Sequence, residues 1–346
     1  MNIVKESLWE KLKETKKPIY LYGTGNGADK ILDILNEKDI KVSGIFASDG
    51  FVRSRVFRGF DVCSYSAAKE KNPEMVVLMA FGSEREDVRE NVLRIKSEQE
   101  FYCPDVPLYG EGLFDFSYFE ENREEAEKIY SLLADEKSKE VYENIINAKI
   151  SGDISYLISS ETTAKEEYEI LNLSGNEIFM DLGAYRGDTI SEFLSFADSY
   201  EKIYAVEPDT KTYKKLIENT KELNIECVNA AIYNKDETLF MQSNKGRGTS
   251  VSDSGTQFPG RSVDSILNSQ KVTFIKMDVE GSEALAIDGA KESIKNYKPK
   301  LKIAAYHRNE DLFSIPSKVL SIRDDYKLYI RHRPSFPAWD VDFIFI

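Results

Sequence analysis

Short apolar runs of strand length alternate with stretches of helical period along most of the chain. Residues 18–22 form one such run, which enters Gly23-Thr24-Gly25-Asn26-Gly27 and then an amphipathic helix with Ile31, Leu32 and Leu35 on one face. Apolar runs at 42–46, 75–81 and 101–109 continue the pattern, with helical stretches at 67–72 and 83–97 between them. This alternation predicts a parallel sheet with right-handed crossovers. Between 117 and 171 the strands stop. Tyr118, Phe119, Ile129, Tyr130, Leu132, Leu133, Val141, Tyr142, Ile145 and Ile146 recur there at helical spacing and predict two or three helices.

A second alternation begins at residues 178–182. Further strands are predicted at 202–208, 226–230, 272–277 and 301–306, and helices at 188–196, at 212–223 and through Ala284 and Ile287. Residues 233–242 read as a small hairpin around Asn234-Lys235-Asp236. The Gly- and Ser-rich stretch 243–260 reads as a loop. The apolar runs 326–331 and 341–346 are split by Pro334 and Pro337, and so short a connection predicts a terminal antiparallel hairpin.

A chain of 346 residues exceeds the size of one hydrophobic core, which favours two domains. With 41% hydrophobic and 31% charged residues it has the composition of a globular protein. The net charge of −14 argues against a nucleic-acid partner, because phosphate binding needs a basic face. Three scattered cysteines without CxxC spacing suit a reducing compartment and suggest neither a disulfide framework nor a zinc site. No secretory h-region and no uncharged run of membrane-spanning length is present, so the expected location is the cytoplasm.

The chemistry gathers at predicted strand ends. Asp181, Glu207, Asp278 and His307 each stand at the carboxyl end of a different apolar run, and Arg331 and His332 do so on a sixth. In parallel sheets those ends share one edge, where ligands bind. The strand 178–182 turns through Gly183-Ala184-Tyr185-Arg186-Gly187 into a helix opening at Asp188-Thr189. Glu207 follows that turn at about 20 residues, the interval at which an acid reaches ribose hydroxyls. Asp181 and Asp188 flank the turn, making it a poor cradle for pyrophosphate and a better one for a cationic, sulfonium-bearing ligand such as S-adenosylmethionine. The other glycine turn, 23–27, lacks the acid expected after its second strand: Phe46-Ala47-Ser48 stands there and Asp49 comes late.

The blocks Asp-Leu-Gly-Ala-Tyr-Arg-Gly-Asp-Thr (181–189), Val-Glu-Pro (206–208), Asn-Ala-Ala-Ile (229–232) and Lys-Met-Asp-Val-Glu-Gly-Ser-Glu (276–283) resemble, in order and spacing, the FkbM family of class I S-adenosylmethionine-dependent methyltransferases. The resemblance covers residues 176–346; Tyr185-Arg186 departs from it, since many members carry asparagine after Gly-Ala. It implies an α/β fold with a doubly wound class I methyltransferase sheet and terminal antiparallel hairpin (173–346); the alternation before it reads as a smaller Rossmann-like α/β domain (1–115), and the helical stretch between them as a connector (116–172). It also implies that Asp181, Gly183, Ala184, Gly187, Asp188 and Thr189 hold the methionine end of S-adenosylmethionine, with the backbone of Tyr185 in the same turn. Glu207 and Pro208 would take the ribose side, Asn229 and Ala230 would lie along the adenine, and Asp278 and Glu280 would stand where methyl group and acceptor meet.

Family members methylate hydroxyl groups, so the expected reaction is O-methylation of a sugar, nucleotide-sugar, glycan or secondary metabolite. His307 is the preferred base, since an imidazole titrates near working pH, with His332 second and Asp278 competing. Asp278 and Glu280 alone do not make a metal site, and none is assigned. Arg308 and Arg331 could meet an anionic acceptor, and Phe336 and Trp339 a sugar ring; salt bridges and packing are the plainer roles. The expected partner is a small-molecule or glycan acceptor, with no nucleic acid and no membrane; a homo-oligomer is left open. The competing readings are a non-catalytic binding or scaffold protein that keeps the fold, and an NAD-dependent oxidoreductase using the N-terminal turn.

Overall fold

The computed structural model describes residues 1–52, 56–83, 85–243, 249–252 and 256–346. The chain divides into two compact units. The first comprises 1–130, 139–161 and 332–340, and the second 131–138, 162–331 and 341–346.

The first unit is built on strands β1 (Ile19–Tyr22), β2 (Gly44–Ala47), β3 (Val56–Phe57), β4 (Phe60–Ser64), β5 (Val76–Met79) and β6 (Glu100–Tyr102). Their order is β3-β4-β2-β1-β5-β6, and every pair but β3–β4 is parallel. Leu21, Ile45, Val77 and Leu78 are fully buried, as expected for central parallel strands covered on both faces. The hairpin β3–β4 has no counterpart in the sequence pattern. Its two-residue turn, Arg58-Gly59, has positive φ at both positions, a conformation that asparagine or glycine usually announces and arginine does not.

The second unit carries β7 (Glu177–Leu182), β8 (Tyr200–Val206), β9 (Ile225–Val228), β10 (Ala231–Ile232), β11 (Glu237–Ser243), β12 (Thr249–Ser252), β13 (Thr256–Arg261), β14 (Phe274–Met277), β15 (Lys300–Ala304), β16 (Leu328–His332) and β17 (Val341–Phe345). Seven of them form the main sheet in the order β16-β17-β15-β14-β7-β8-β9. The pairs β15–β14–β7–β8–β9 are parallel, and β17 runs antiparallel to β15. Reciprocal backbone bonds between Lys327 and Ile346, and the Arg333 N–H bond to the Asp340 carbonyl, join the two terminal runs as the antiparallel hairpin that the proline-split ending predicts. Phe179, Phe193 and Phe274 stack between this sheet and the helix Asp188–Phe196, with Phe179 4.5 Å from Phe193 and 4.8 Å from Phe274 between ring centroids.

Two expectations are corrected in this unit. The hairpin around Asn234-Lys235-Asp236 does not form, because β13 lies between β10 and β11 in a separate sheet ordered β10-β13-β11-β12. The stretch 243–260 read as a loop supplies strands β12 and β13; its residues 244–248 and 253–255 lie outside the described residues.

The connector at 116–172 also differs from its expectation. It holds five helices, Phe116–Glu121, Arg123–Leu132, Glu136–Ser151, Ile154–Ser160 and Ala164–Leu171. Gly152, at φ +66°, ends one of them, and the caps Asp153 and Thr163 start the next two. Their apolar stripes join the cores of the two units instead of making a third body: Phe119, Ile129 and Tyr142 are buried in the first, Tyr168 and Leu171 in the second. Among the described residues no helix is long and apolar enough to cross a membrane.

Candidate active site

The second unit's parallel strands end side by side in the order β15, β14, β7, β8, β9, and the predicted polar residues fall along that edge in the same order. Strand order reverses at β7, whose chain successor β8 lies on one side while β14 lies on the other. A crevice at such a reversal is where open α/β sheets bind ligands.

Gly183 stands at the reversal with φ +84°. Any Cβ on it would run into the carbonyl oxygen of Asp278, so glycine is required both for conformation and for the close approach of the β7 and β14 ends. Gly187, at φ +89°, caps the helix Asp188–Phe196, with Asp188 and Thr189 in its first turn. Tyr185 between them is half exposed, and the Arg186 guanidinium lies over its ring at 4.9 Å.

Glu207 locks this turn to the end of β8. Its Oε2 accepts the Tyr185 N–H at 3.0 Å and its Oε1 accepts the Asp209 N–H at 2.8 Å. Burial pushes its carboxyl up to about 7, although both amide donors pull the other way. Beside it, Asn229 donates to the carbonyls of Glu207 (2.8 Å) and Pro208 (3.0 Å), and Ala230 is buried.

Asp181 is fully buried, and among the described residues neither carboxylate oxygen accepts a hydrogen bond. Burial pushes it up to about 6. Its nearest cation is Lys276, whose Nζ lies 3.5 Å from Asp181 Oδ1 and 3.6 Å from Asp278 Oδ2. Burial works against that ammonium, but the two carboxylates hold its pKa above the ordinary lysine value. Sequence reasoning gave Lys276 no role. The available signal was its spacing, two residues before Asp278 on one face of an otherwise apolar strand.

His307, after β15, is 2% exposed. Its Nδ1 lies 2.9 Å from Glu283 Oε1, and its Nε2 lies 3.6 Å from Asp278 Oδ1 and 3.9 Å from Glu280 Oε2. Glu283, buried and also missed as a site residue, accepts the Val279 N–H at 2.9 Å and so ties the loop after β14 to the imidazole. Burial alone would lower the imidazole pKa, but Glu283, Asp278 and Glu280 outweigh it and raise the pKa to about 9. His307 is therefore mostly cationic at neutral pH, its titration moved above the near-neutral range expected from the residue type. Burial also disfavours the Asp278 carboxylate, yet Lys276 and His307 hold its pKa below the ordinary value.

Asp278, Glu283 and His307 each offer one ligand atom within 4.8 Å of the others. A metal there would have to compete for the imidazole with the proton those carboxylates stabilise.

The structure brings Asp181, Gly183, Ala184, Tyr185, Gly187, Asp188, Thr189, Glu207, Pro208, Asn229, Ala230, Asp278, Glu280 and His307 to one edge of one sheet. It does not bring His332 there. That imidazole is fully buried in the first unit, with Nε2 3.4 Å from Ser335 Oγ. Arg331 is tied down as well, its Nη2 donating to Asp135 Oδ2 at 2.6 Å. Arg308 Nε donates to the Gly281 carbonyl at 2.8 Å, and Phe336 is buried beneath the Arg89 guanidinium.

A seven-stranded sheet of this order, with a glycine turn at the reversal and an acid closing the next strand, defines a class I methyltransferase fold. Residues 181–324 match the family model described as the methyltransferase FkbM domain. Among solved structures, the methyltransferase FkbM from Methylobacillus flagellatus KT is similar over 95% of this chain and 90% of its own, at 20% identity and a TM-score of 0.73. The precorrin-6y C5,15-methyltransferase from Geobacter metallireducens GS-15 is similar over 52% and 84%, at 12% identity and a TM-score of 0.34. Fibrillarin from Aeropyrum pernix, solved with natively bound S-adenosyl-L-methionine, is similar over 50% and 69%, at 12% identity and a TM-score of 0.32. No curated protein matches the sequence.

Proposed function

We propose that the second unit uses S-adenosylmethionine to methylate a hydroxyl oxygen on a sugar, nucleotide-sugar, glycan or secondary metabolite. The observation that carries the cofactor assignment is Asp181. A buried carboxylate whose two oxygens lack hydrogen bonds among the described residues, with its nearest ammonium 3.5 Å away and a glycine turn beside it at the sheet's reversal, fits a ligand that brings donors and positive charge. Gly183, Ala184, Tyr185, Gly187, Asp188 and Thr189 would surround the methionine end with Asp181. Glu207 and Pro208 would take the ribose side, and Asn229 and Ala230 the adenine. Each Glu207 oxygen accepts one backbone N–H and retains acceptor capacity for a hydroxyl.

When bound, S-adenosylmethionine supplies a methyl group activated by its sulfonium. The chain's own contribution is alignment and proton handling. Asp278, held ionised, accepts a hydrogen bond from the acceptor hydroxyl and orients it. His307, in its neutral form, receives the hydroxyl proton at Nε2, while Glu283 fixes the ring through Nδ1. With its pKa raised to about 9, His307 is mostly protonated at pH 7, so the step runs faster in alkaline solution.

The test is S-adenosylhomocysteine release from S-adenosylmethionine across a panel of nucleotide-sugars and glycans, with the methylated atom located by mass spectrometry and NMR. Cofactor binding without release on any hydroxyl acceptor would remove the O-methyl assignment. Absence of cofactor binding would remove the whole reading.

A further inference from the structure

The first unit has its own sheet reversal, between β1 and β5, and a cavity of about 210 Å³ opens there. We propose that this cavity binds a nucleoside phosphate, with the phosphate on the Gly23–Gly27 turn and the base against Trp339. It stands on the first unit alone and is independent of the methyl-transfer reading.

Charge points to the anion. Among the described residues none that lines the cavity is acidic, in a chain of net charge −14. Lys30 lines it, and its Nζ donates to the carbonyls of Pro107 (2.6 Å) and Leu108 (3.1 Å), which leaves the third N–H for a ligand. Among the described residues no carboxylate forms an ion pair with Lys30, so a half-buried ammonium stands there without a counter-charge. The two carbonyls hold it in place beside the turn.

The turn is built for close approach. Gly25 has φ +145° with open space where a Cβ would stand, and as the N-cap of the helix Asn26–Glu37 it contributes no capping side chain. A Cβ on Gly27 would come within 2.6 Å of the Ala80 carbonyl, so the helix start is pressed against the end of β5. Backbone amides, a lysine and no carboxylates make a phosphate site.

The walls point to a flat ring. Phe81, Val106 and Trp339 line the cavity, and the Trp339 indole packs so closely on Gly82 that no side chain fits between them. The volume sets the size, since pockets for drug-sized ligands begin at about 300 Å³. A dinucleotide is too large, whereas one nucleoside with its phosphate, partly open to solvent, suits. The usual ribose-binding acid is also engaged elsewhere, because both Asp49 oxygens accept from Ser66. Recognition therefore falls to the phosphate and the ring.

The chain has two tryptophans, and Trp9 is buried in the first unit's core, so Trp339 is the natural reporter. Uridine monophosphate is titrated into the full chain by fluorescence under saturating S-adenosylhomocysteine, with uridine, ribose 5-phosphate and inorganic phosphate as separate arms. The expected result is a saturable change with Kd below about 1 mM, at least about tenfold tighter than for any other arm. The change should persist in Trp9→Phe, vanish in Trp339→Phe, and need at least about tenfold more ligand in Lys30→Ala. No saturable change in the wild-type chain overturns the proposal. So does uridine or ribose 5-phosphate binding as tightly, or an unaltered affinity in Lys30→Ala that still binds S-adenosylhomocysteine. If Lys30→Ala fails to fold, the wild-type comparison of uridine monophosphate with uridine decides alone.

Discussion

Each unit leaves its first central strand through a glycine turn at the point where strand order reverses, yet the two turns face opposite electrostatic surroundings. Around Gly183 stand Asp181, Glu207 and Asp278, with Lys276 between two of them. No acid among the described residues lines the cavity at Gly25, and Lys30 there is bound to carbonyls. The backbone device is shared, and what distinguishes the ligands is the charge at neighbouring strand ends. A glycine pattern alone therefore does not name a ligand, whereas the groups on the adjacent strands do.

The sharpest way to break the comparison is at the glycines. Gly183→Ala should cost the most, because a methyl group there combines an unfavourable φ with a clash against backbone rather than a movable side chain. A loss of at least about 4 kcal/mol, or failure of the second unit to fold, is expected in urea unfolding. A midpoint close to wild type would mean that the β7 and β14 ends are not rigidly apposed.

Next is His307. Replacement by alanine should lower turnover by about 100-fold or more while changing cofactor affinity little, as isothermal calorimetry and steady-state kinetics can separate. In the wild type, turnover should climb with pH towards about 9, and His307→Ala should lose that rise. A profile flat between pH 7 and 9 would place the base elsewhere. The same group carries a stability signature. Its folded pKa is raised from 6.5 to about 9, so its contribution is complete below pH 6.5 and is lost as pH rises through about 9.

Most of this edge is legible in the amino-acid sequence. Asp181, Glu207, Asp278 and His307 can be placed together because each follows a run of apolar residues, and parallel strands share an edge. The titration of His307 is not legible there, since it depends on Glu283 and Asp278 lying 24 and 29 residues earlier and being brought within 4 Å by the pairing of β14 with β15. His332 is misplaced for a related reason. It also follows a strand, but the segment after it packs into the other unit, and nothing in its periodicity records that. The insertion of β13 between β10 and β11 is hidden likewise, because short strands advertise themselves but not their partners.

Glu207 comes third in expected size. Glu207→Gln should weaken S-adenosylhomocysteine by about tenfold, since the amide keeps the shape but offers only one acceptor oxygen to two backbone amides and a hydroxyl. In the wild type the affinity should strengthen as pH rises through about 7, where the carboxyl ionises, and Glu207→Gln should flatten that dependence. Unchanged affinity at every pH would detach Glu207 from the ribose and leave it a purely structural clamp.

The smallest effect belongs to the other turn. Gly25→Ala faces open space, so its cost is conformational only, about 1–2 kcal/mol from forcing an L side chain to φ +145°. The first unit should stay folded, with its unfolding midpoint lowered modestly and S-adenosylhomocysteine binding unaltered. If Gly25→Ala destabilised as much as Gly183→Ala, the two turns would be equally confined. The difference between them would then lie in charge alone, not in the room each leaves for a ligand.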